Sequence, residues 1–115
     1  MHICIFEDRY YKNFLPLVYF RPVYHLHCGA SSLREKIEKM LPRAETSLQM
    51  RADIAENVAE RFPNLTVNNF PEDDVWLING RVLGDENLVG LIKTNTGVEK
   101  VFVKGDIVAA AFIKR

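Results

Sequence analysis

Very little in this sequence is present in excess, and the shortages narrow what the chain can be. Only two of its 115 residues are cysteine, Cys4 and Cys28, too few for a disulfide framework. Without an export signal the expectation is two reduced, partly buried thiols. No apolar run approaches the roughly 20 residues of a membrane-spanning helix, and the amino terminus lacks the basic-then-apolar order of a signal peptide. The expected location is therefore cytoplasmic, with no membrane partner. Charge of one sign is missing too, because 15 Lys and Arg balance 15 Asp and Glu. Binding to nucleic acid is driven largely by clustered positive charge, so a nucleic-acid partner is not expected. Internal repeats, low-complexity segments and linkers are absent as well.

What is there is an ordinary globular composition, 48% hydrophobic and 26% charged. The length allows one hydrophobic core and is too short for two.

His2 to Phe6 is a short apolar run with β-branched residues and predicts a buried first strand, followed by a loop that opens on Glu7 and Asp8. Pro16 and Pro22 punctuate the aromatic-rich stretch Phe14 to Tyr24, which reads as an extended, irregular connection because each proline removes a donor and restrains its predecessor. Beyond Gly29, Leu33, Ile37, Met40 and Leu41 share one helical face. Ser32 and Glu35 fit a capping box there, and Pro42 marks the end. Thr46 to Met50 is a weaker strand. Ile54, Ala55, Val58, Ala59 and Phe62 return to helical spacing between Arg51 and Pro63.

Leu65 to Asn68 can form a short strand, and Val75 to Ile78 a stronger one that runs into Asn79-Gly80. Asp85 is placed to cap a third helix carrying Leu88, Val89, Leu91 and Ile92, with Gly97 at its end. The remainder reads as two strands joined near Lys104-Gly105-Asp106. Strands alternating with helices predict an α/β fold: an open, mainly parallel sheet covered on both faces, with an antiparallel hairpin at the end. The apolar run Ile107 to Ile113 lies next to the end of the given chain. More sheet beyond it, or a second copy of the chain, is the expected cover for that edge.

Leu15-Pro-Leu-Val-Tyr-Phe-Arg-Pro-Val, then Gly29, the Leu33-Arg-Glu-Lys helix and the later Ile78-Asn79-Gly80-Arg81-Val82-Leu83 form an ordered set of motifs. Together they resemble the start of a family of sugar nucleotidyltransferases, relatives of the N-acetylglucosamine-1-phosphate uridylyltransferases. The resemblance spans nearly the whole chain. It implies a Rossmann-like sheet with flanking helices that binds ligands at the carboxyl ends of its strands, in agreement with the pattern above. It also implies transfer of a nucleotidyl group from a nucleoside triphosphate to a sugar 1-phosphate, with Mg²⁺ bridging the phosphates. Members are longer and are usually joined to a left-handed β-helix resembling acyltransferases. Residues 1–115 would then be the amino-terminal nucleotidyltransferase-like portion, with the rest of a longer polypeptide or a homo-oligomer as partner.

Three departures set this chain apart from what the resemblance implies for active relatives. The loop after the first strand, Glu7 to Asn13, holds no glycine, whereas a glycine-rich turn supplies the backbone donors that cradle phosphate. Val23 stands where a lysine usually follows the proline. Gly80-Arg81 replaces the Gly-Asp whose carboxylate holds the metal, so the sequence does not support Mg²⁺ there.

These residues nominate Arg21 as the anion contact and sole catalytic candidate, the alternative being a stem packed on Tyr19 or Phe20. Asp8, Arg34, Lys36, Asn79 and Gly80 are the expected binders of a nucleotide or sugar phosphate, and Arg21 and the Gly80 bend are expected to meet in one crevice. No residue is assigned to a metal, because His25, His27 and Cys28 do not complete four ligands. Cys28 beside the start of a helix reads as an inert thiol. Two functions follow: a nucleotide- or sugar-nucleotide-binding domain with degenerate phosphate and metal motifs, or a non-catalytic interaction or oligomerisation module.

Overall fold

The computed structural model describes residues 1–115, except for the side chain of Cys28. Five-residue strand β1 spans His2–Phe6, and the parallel strands β4 (Glu45–Gln49) and β6 (Val75–Asn79) flank it on either side. Between β1 and β4 lie two short 3₁₀ turns, a minimal antiparallel pair β2 (His27–Cys28) and β3 (Ser31–Ser32), and helix α1 (Leu33–Met40). Helix α2 (Ala52–Arg61) leads into β5 (Thr66–Val67), which adds to β4 in parallel. Helix α3 (Glu86–Asn95) then precedes the hairpin β7 (Lys100–Lys104) and β8 (Ile107–Ile113).

The main sheet has the order β5-β4-β1-β6-β8-β7, four parallel strands followed by the antiparallel hairpin. This is the expected α/β architecture. The direction of growth reverses at β1. The chain builds outward from β1 to β4 and β5, then returns to place β6 on the other side. Rossmann-like sheets bind ligands at such a switch point, beyond the carboxyl ends of the strands.

Local chemistry explains the helices. Ser32 accepts from Glu35 N at 3.1 Å, while the Glu35 carboxylate accepts from Ser32 N at 3.0 Å, so the predicted capping box forms in both directions. The Asp85 carboxylate accepts from the amides of Asn87 and Leu88 and caps α3 as anticipated. Asn68, with φ 52°, ends β5 in the left-handed region that asparagine tolerates, and its side-chain amide brackets Met50 by bonds to both its N–H and its carbonyl.

Ile3, Ile5, Leu48, Trp76, Ile78, Ala110 and Phe112 project from one face of the sheet into a single core that also takes Ile37, Ile54, Val58, Leu88 and Ile92. All three helices therefore share that face, and the expected helical cover on both faces is not found. Trp76 anchors the layer. Its ring packs 5.3 Å from Phe112 and 6.2 Å from Phe102, and its indole N–H donates to Thr96 at 3.1 Å, so it joins the hairpin to the end of α3. The opposite face carries buried Cys4, Ser47 and Val75 near the strand centres, and burial pushes the Cys4 thiol above its usual range. Toward the hairpin that face ends in exposed Val101 and Val103.

Candidate functional site

The two carboxylates that open the loop after β1 point to different partners, because successive residues leaving a strand alternate in direction. Glu7 turns inward, and its side chain is only 1% exposed. Arg51, just beyond β4, donates to both of its oxygens at 2.8 and 2.9 Å, and Val23 N donates to the second oxygen at 2.9 Å. The same guanidinium donates to the carbonyls of Val18 and Arg21 and lies 4.3 Å from the centre of the Tyr11 ring. Glu7 and Arg51 thus clamp the proline-bearing connection against the carboxyl rim of the sheet.

Asp8 faces the other neighbour of β1. Its Oδ2 accepts from Arg81 Nη2 at 2.6 Å and from Asn79 Nδ2 at 3.0 Å, while Oδ1 accepts from Tyr10 N at 3.1 Å. Asn79 is 1% exposed and also donates to the Val108 carbonyl at 3.0 Å, while its own oxygen accepts from Arg81 N. The parallel register opposes Phe6 to Asn79, so residues leaving β1 and β6 meet at the switch point. The Arg81 guanidinium lies 5.5 Å from the Tyr10 ring centre, and the Tyr10 hydroxyl donates to Asp106 in the hairpin turn. That bond holds the Asp106 carboxyl below its usual range. Beside this cluster a cleft of about 540 Å³ is lined by Asn79, Arg81, Val82, Lys104, Ile107 and Ala109.

Of the expected binding residues, Asp8 and Asn79 are directly bonded and Gly80 adjoins them. A methyl group on Gly80 would fall 2.8 Å from Tyr24 Cβ, so only glycine lets the bend approach this buried ring. Tyr24 is fixed in turn by its hydroxyl donating to Gln49 O at 2.9 Å. Arg21 lies on the connection that Arg51 clamps. Its guanidinium is exposed and, among the described residues, forms no hydrogen bond or ion pair with the Asp8 cluster. Arg34 is engaged elsewhere, donating to His25 Nε2 and Glu38 at 2.9 Å each and stacking over Phe62. Lys36 makes no ion pair among the described residues, and its backbone supports Gly84.

Sequence reasoning did not single out Arg51 or Lys104, and it noted Arg81 only as a lost carboxylate. Arg51 carries no local signal, since its partner lies 44 residues away. The Asp8 to Arg81 pair spans 73 residues.

Residues 25–28 bear on a metal differently from the rim. His25 packs between Tyr24 and Phe62 and uses Nε2 to accept from Arg34, while the side chain of Cys28 lies outside the described residues. Burial first, and the Arg34 charge second, pull the His25 pKa down from 6.5 to about 4. Between those values the unfolded chain binds the proton and the folded one does not, so stability falls as pH drops from 6.5 to about 4. The expected His25 contribution is about 1–2 kcal/mol, discounted because water reaches part of the ring. Urea titrations at several pH values should show it, and His25→Gln, which keeps an acceptor for Arg34, should flatten this part of the profile. An unchanged profile in the variant would assign the dependence to other groups.

The rim does not fit Mg²⁺. Both oxygens of Asp8 already accept hydrogen bonds, and a hard cation bound there would have to displace a guanidinium 2.6 Å away. Among the described residues, no group of three or more His, Cys, Asp or Glu side chains is placed to hold a metal ion. Among the described residues, no helix is long and apolar enough to cross a membrane.

A family model described as sugar nucleotidyl transferase matches residues 3–115. No curated protein and no solved structure gives a significant match.

Proposed function

Because the chain belongs to the sugar nucleotidyl transferase family, matched over residues 3–115, we propose that it binds a nucleotide or sugar nucleotide at the switch point between β1 and β6. The observation that carries this reading is the meeting of Asp8, Asn79 and Arg81 at the carboxyl rim, where open α/β sheets place their ligands. Arg21 stands on the connection that Glu7 and Arg51 clamp, and its exposed guanidinium, which makes no ion pair among the described residues, is suited to an arriving phosphate. The departures from the transfer machinery argue for binding with little or no turnover. The first loop has no glycine, Val23 replaces a lysine, and Arg81 occupies the place of a metal carboxylate.

Calorimetric titration with UTP and UDP-sugars tests the reading. Measurable heat is expected, with Arg21→Ala weakening the affinity about ten-fold if that side chain makes one charged hydrogen bond to phosphate. Pyrophosphate release from UTP and a sugar 1-phosphate is expected to stay at background. Absence of heat and of any thermal shift at millimolar ligand would remove the proposal.

A second reading, an interaction module, is favoured by the unpaired outer edge of β7 and by Val101 and Val103, 62% and 61% exposed on the sheet face that carries no helix. Lys100 and Lys104 at the two ends of β7 oppose indiscriminate edge pairing, so a partner would have to meet this face specifically. Light scattering that finds only monomer at every concentration would take away the self-association form of this reading.

A further inference from the structure

We propose that the cleft between the Gly80 bend and the β7–β8 hairpin takes a phosphorylated small molecule without a divalent cation, with Arg81 and Lys104 supplying the positive charge. This deepens the nucleotide-binding reading and rests on it.

The charged side chains that line the cleft are Arg81 and Lys104, and the Asp8 carboxylate bonded to Arg81 is not part of the lining. Its volume of about 540 Å³ is that of a small-molecule site. Val82, Ile107 and Ala109 give it apolar walls against which a sugar or base ring can rest. Arg81 is held rigidly, since Asp8 takes its Nη2, Asn79 takes its backbone amide, and Tyr10 stacks on the guanidinium.

What remains unsatisfied on Arg81 points to the ligand. Its Nε is buried and, among the described residues, has no hydrogen-bond partner. A buried donor without an acceptor is costly, and a small turn of the guanidinium toward the cleft would let an oxygen-rich anion satisfy it. A guanidinium can give two N–H groups to one phosphate, and Lys104 adds a mobile point charge from the hairpin. Asp8 fits the same scheme as the fixed counter-ion that aims the fork. With three donors already on its oxygens it is a poor ligand for a hard cation. The charge that a bridging metal would bring to phosphate is therefore covalently part of the chain.

NMR titration of the full chain, observing the backbone amides and the Arg81 Nε–H, with UDP-glucose, glucose 1-phosphate and pyrophosphate in separate arms, tests this. Each arm is run once with EDTA and once with Mg²⁺. The expected result is a shift of the Arg81 Nε–H and of the Gly80 and Gly105 amides, with affinities that agree within about two-fold across the two conditions. Lys104→Ala, at an exposed position, should weaken binding by about ten-fold, equivalent to ~1.4 kcal/mol, with the spectrum otherwise unchanged. A response to pyrophosphate alone would make the site one for free phosphate groups and overturn the small-molecule assignment. Binding that strengthens ten-fold or more with Mg²⁺ would overturn metal independence and leave nucleotide binding standing. Ligand shifts confined to other residues would overturn the cleft alone. Silence in every arm would remove the nucleotide reading together with this one.

Discussion

Arg51→Ala is expected to destabilise the protein by about 3–5 kcal/mol, because it leaves the Glu7 carboxylate buried without its counter-charge. The Glu7 side chain is 1% exposed, and Arg51 supplies two of the three hydrogen bonds to its oxygens. The loss reaches beyond the pair. Arg51 also holds the carbonyls of Val18 and Arg21, so the proline-bearing connection should loosen from the rim. Urea denaturation measures the stability, and amide exchange at Val23, which donates to Glu7, reports the connection. The double variant Glu7→Leu with Arg51→Met should recover most of the loss, since apolar replacement of a buried pair is often neutral. A single variant within about 1 kcal/mol of the parent would show that water reaches Glu7 and that the pair matters little.

Gly84→Ala should cost about 3 kcal/mol, at the upper end of what overpacking produces. A Cβ at this position would lie 2.7 Å from the carbonyl carbon and oxygen of Lys36 and from Ile37 N, all of them backbone of α1. Helix backbone has no rotamer to change, so either α1 or the bend after β6 must move. Both positions matter to the rim, because Gly84 directly precedes the Asp85 cap of α3 and follows the Arg81 bend by three residues. Gly80→Ala meets the Tyr24 side chain instead, which can give way more readily than helix backbone. The denaturation midpoint should therefore fall further for Gly84→Ala than for Gly80→Ala. The reverse order would mean that the rim tolerates movement of α1 better than movement of Tyr24.

The same two glycines connect packing to binding. Gly80 sets the position of Arg81, whose bond to Asp8 depends on the bend passing close over Tyr24. A variant that folds with Arg81 displaced should lose the proposed anion contact while keeping its helices. Circular dichroism and the NMR titration together separate those outcomes.

Much of the architecture was legible in the sequence. Apolar runs marked β1 and β6, and helical spacing between caps and prolines marked α1, α2 and α3, with Ser32, Glu35 and Asp85 in the capping roles anticipated for them. The turn at Lys104-Gly105-Asp106 gave the hairpin. These features depend on neighbours within a few residues, where hydrogen bonding and side-chain periodicity act directly. The 3₁₀ turns at Arg9–Phe14 and Val23–His25 and the two-residue strands β2 and β3 left too short a pattern to read.

By itself, then, the sequence determined the three α-helices and the strands of the main sheet, the alternation that yields an α/β fold, and the motif set that places the chain among the sugar nucleotidyl transferases. Only the tertiary structure decided that the three helices share one face, that Glu7 belongs to Arg51, and that Asp8 belongs to Arg81. Those charge pairs join residues 44 and 73 positions apart, and strand order and register bring them together. Charge alone offers each carboxylate fifteen basic residues to choose from, and the geometry of the folded rim selects one.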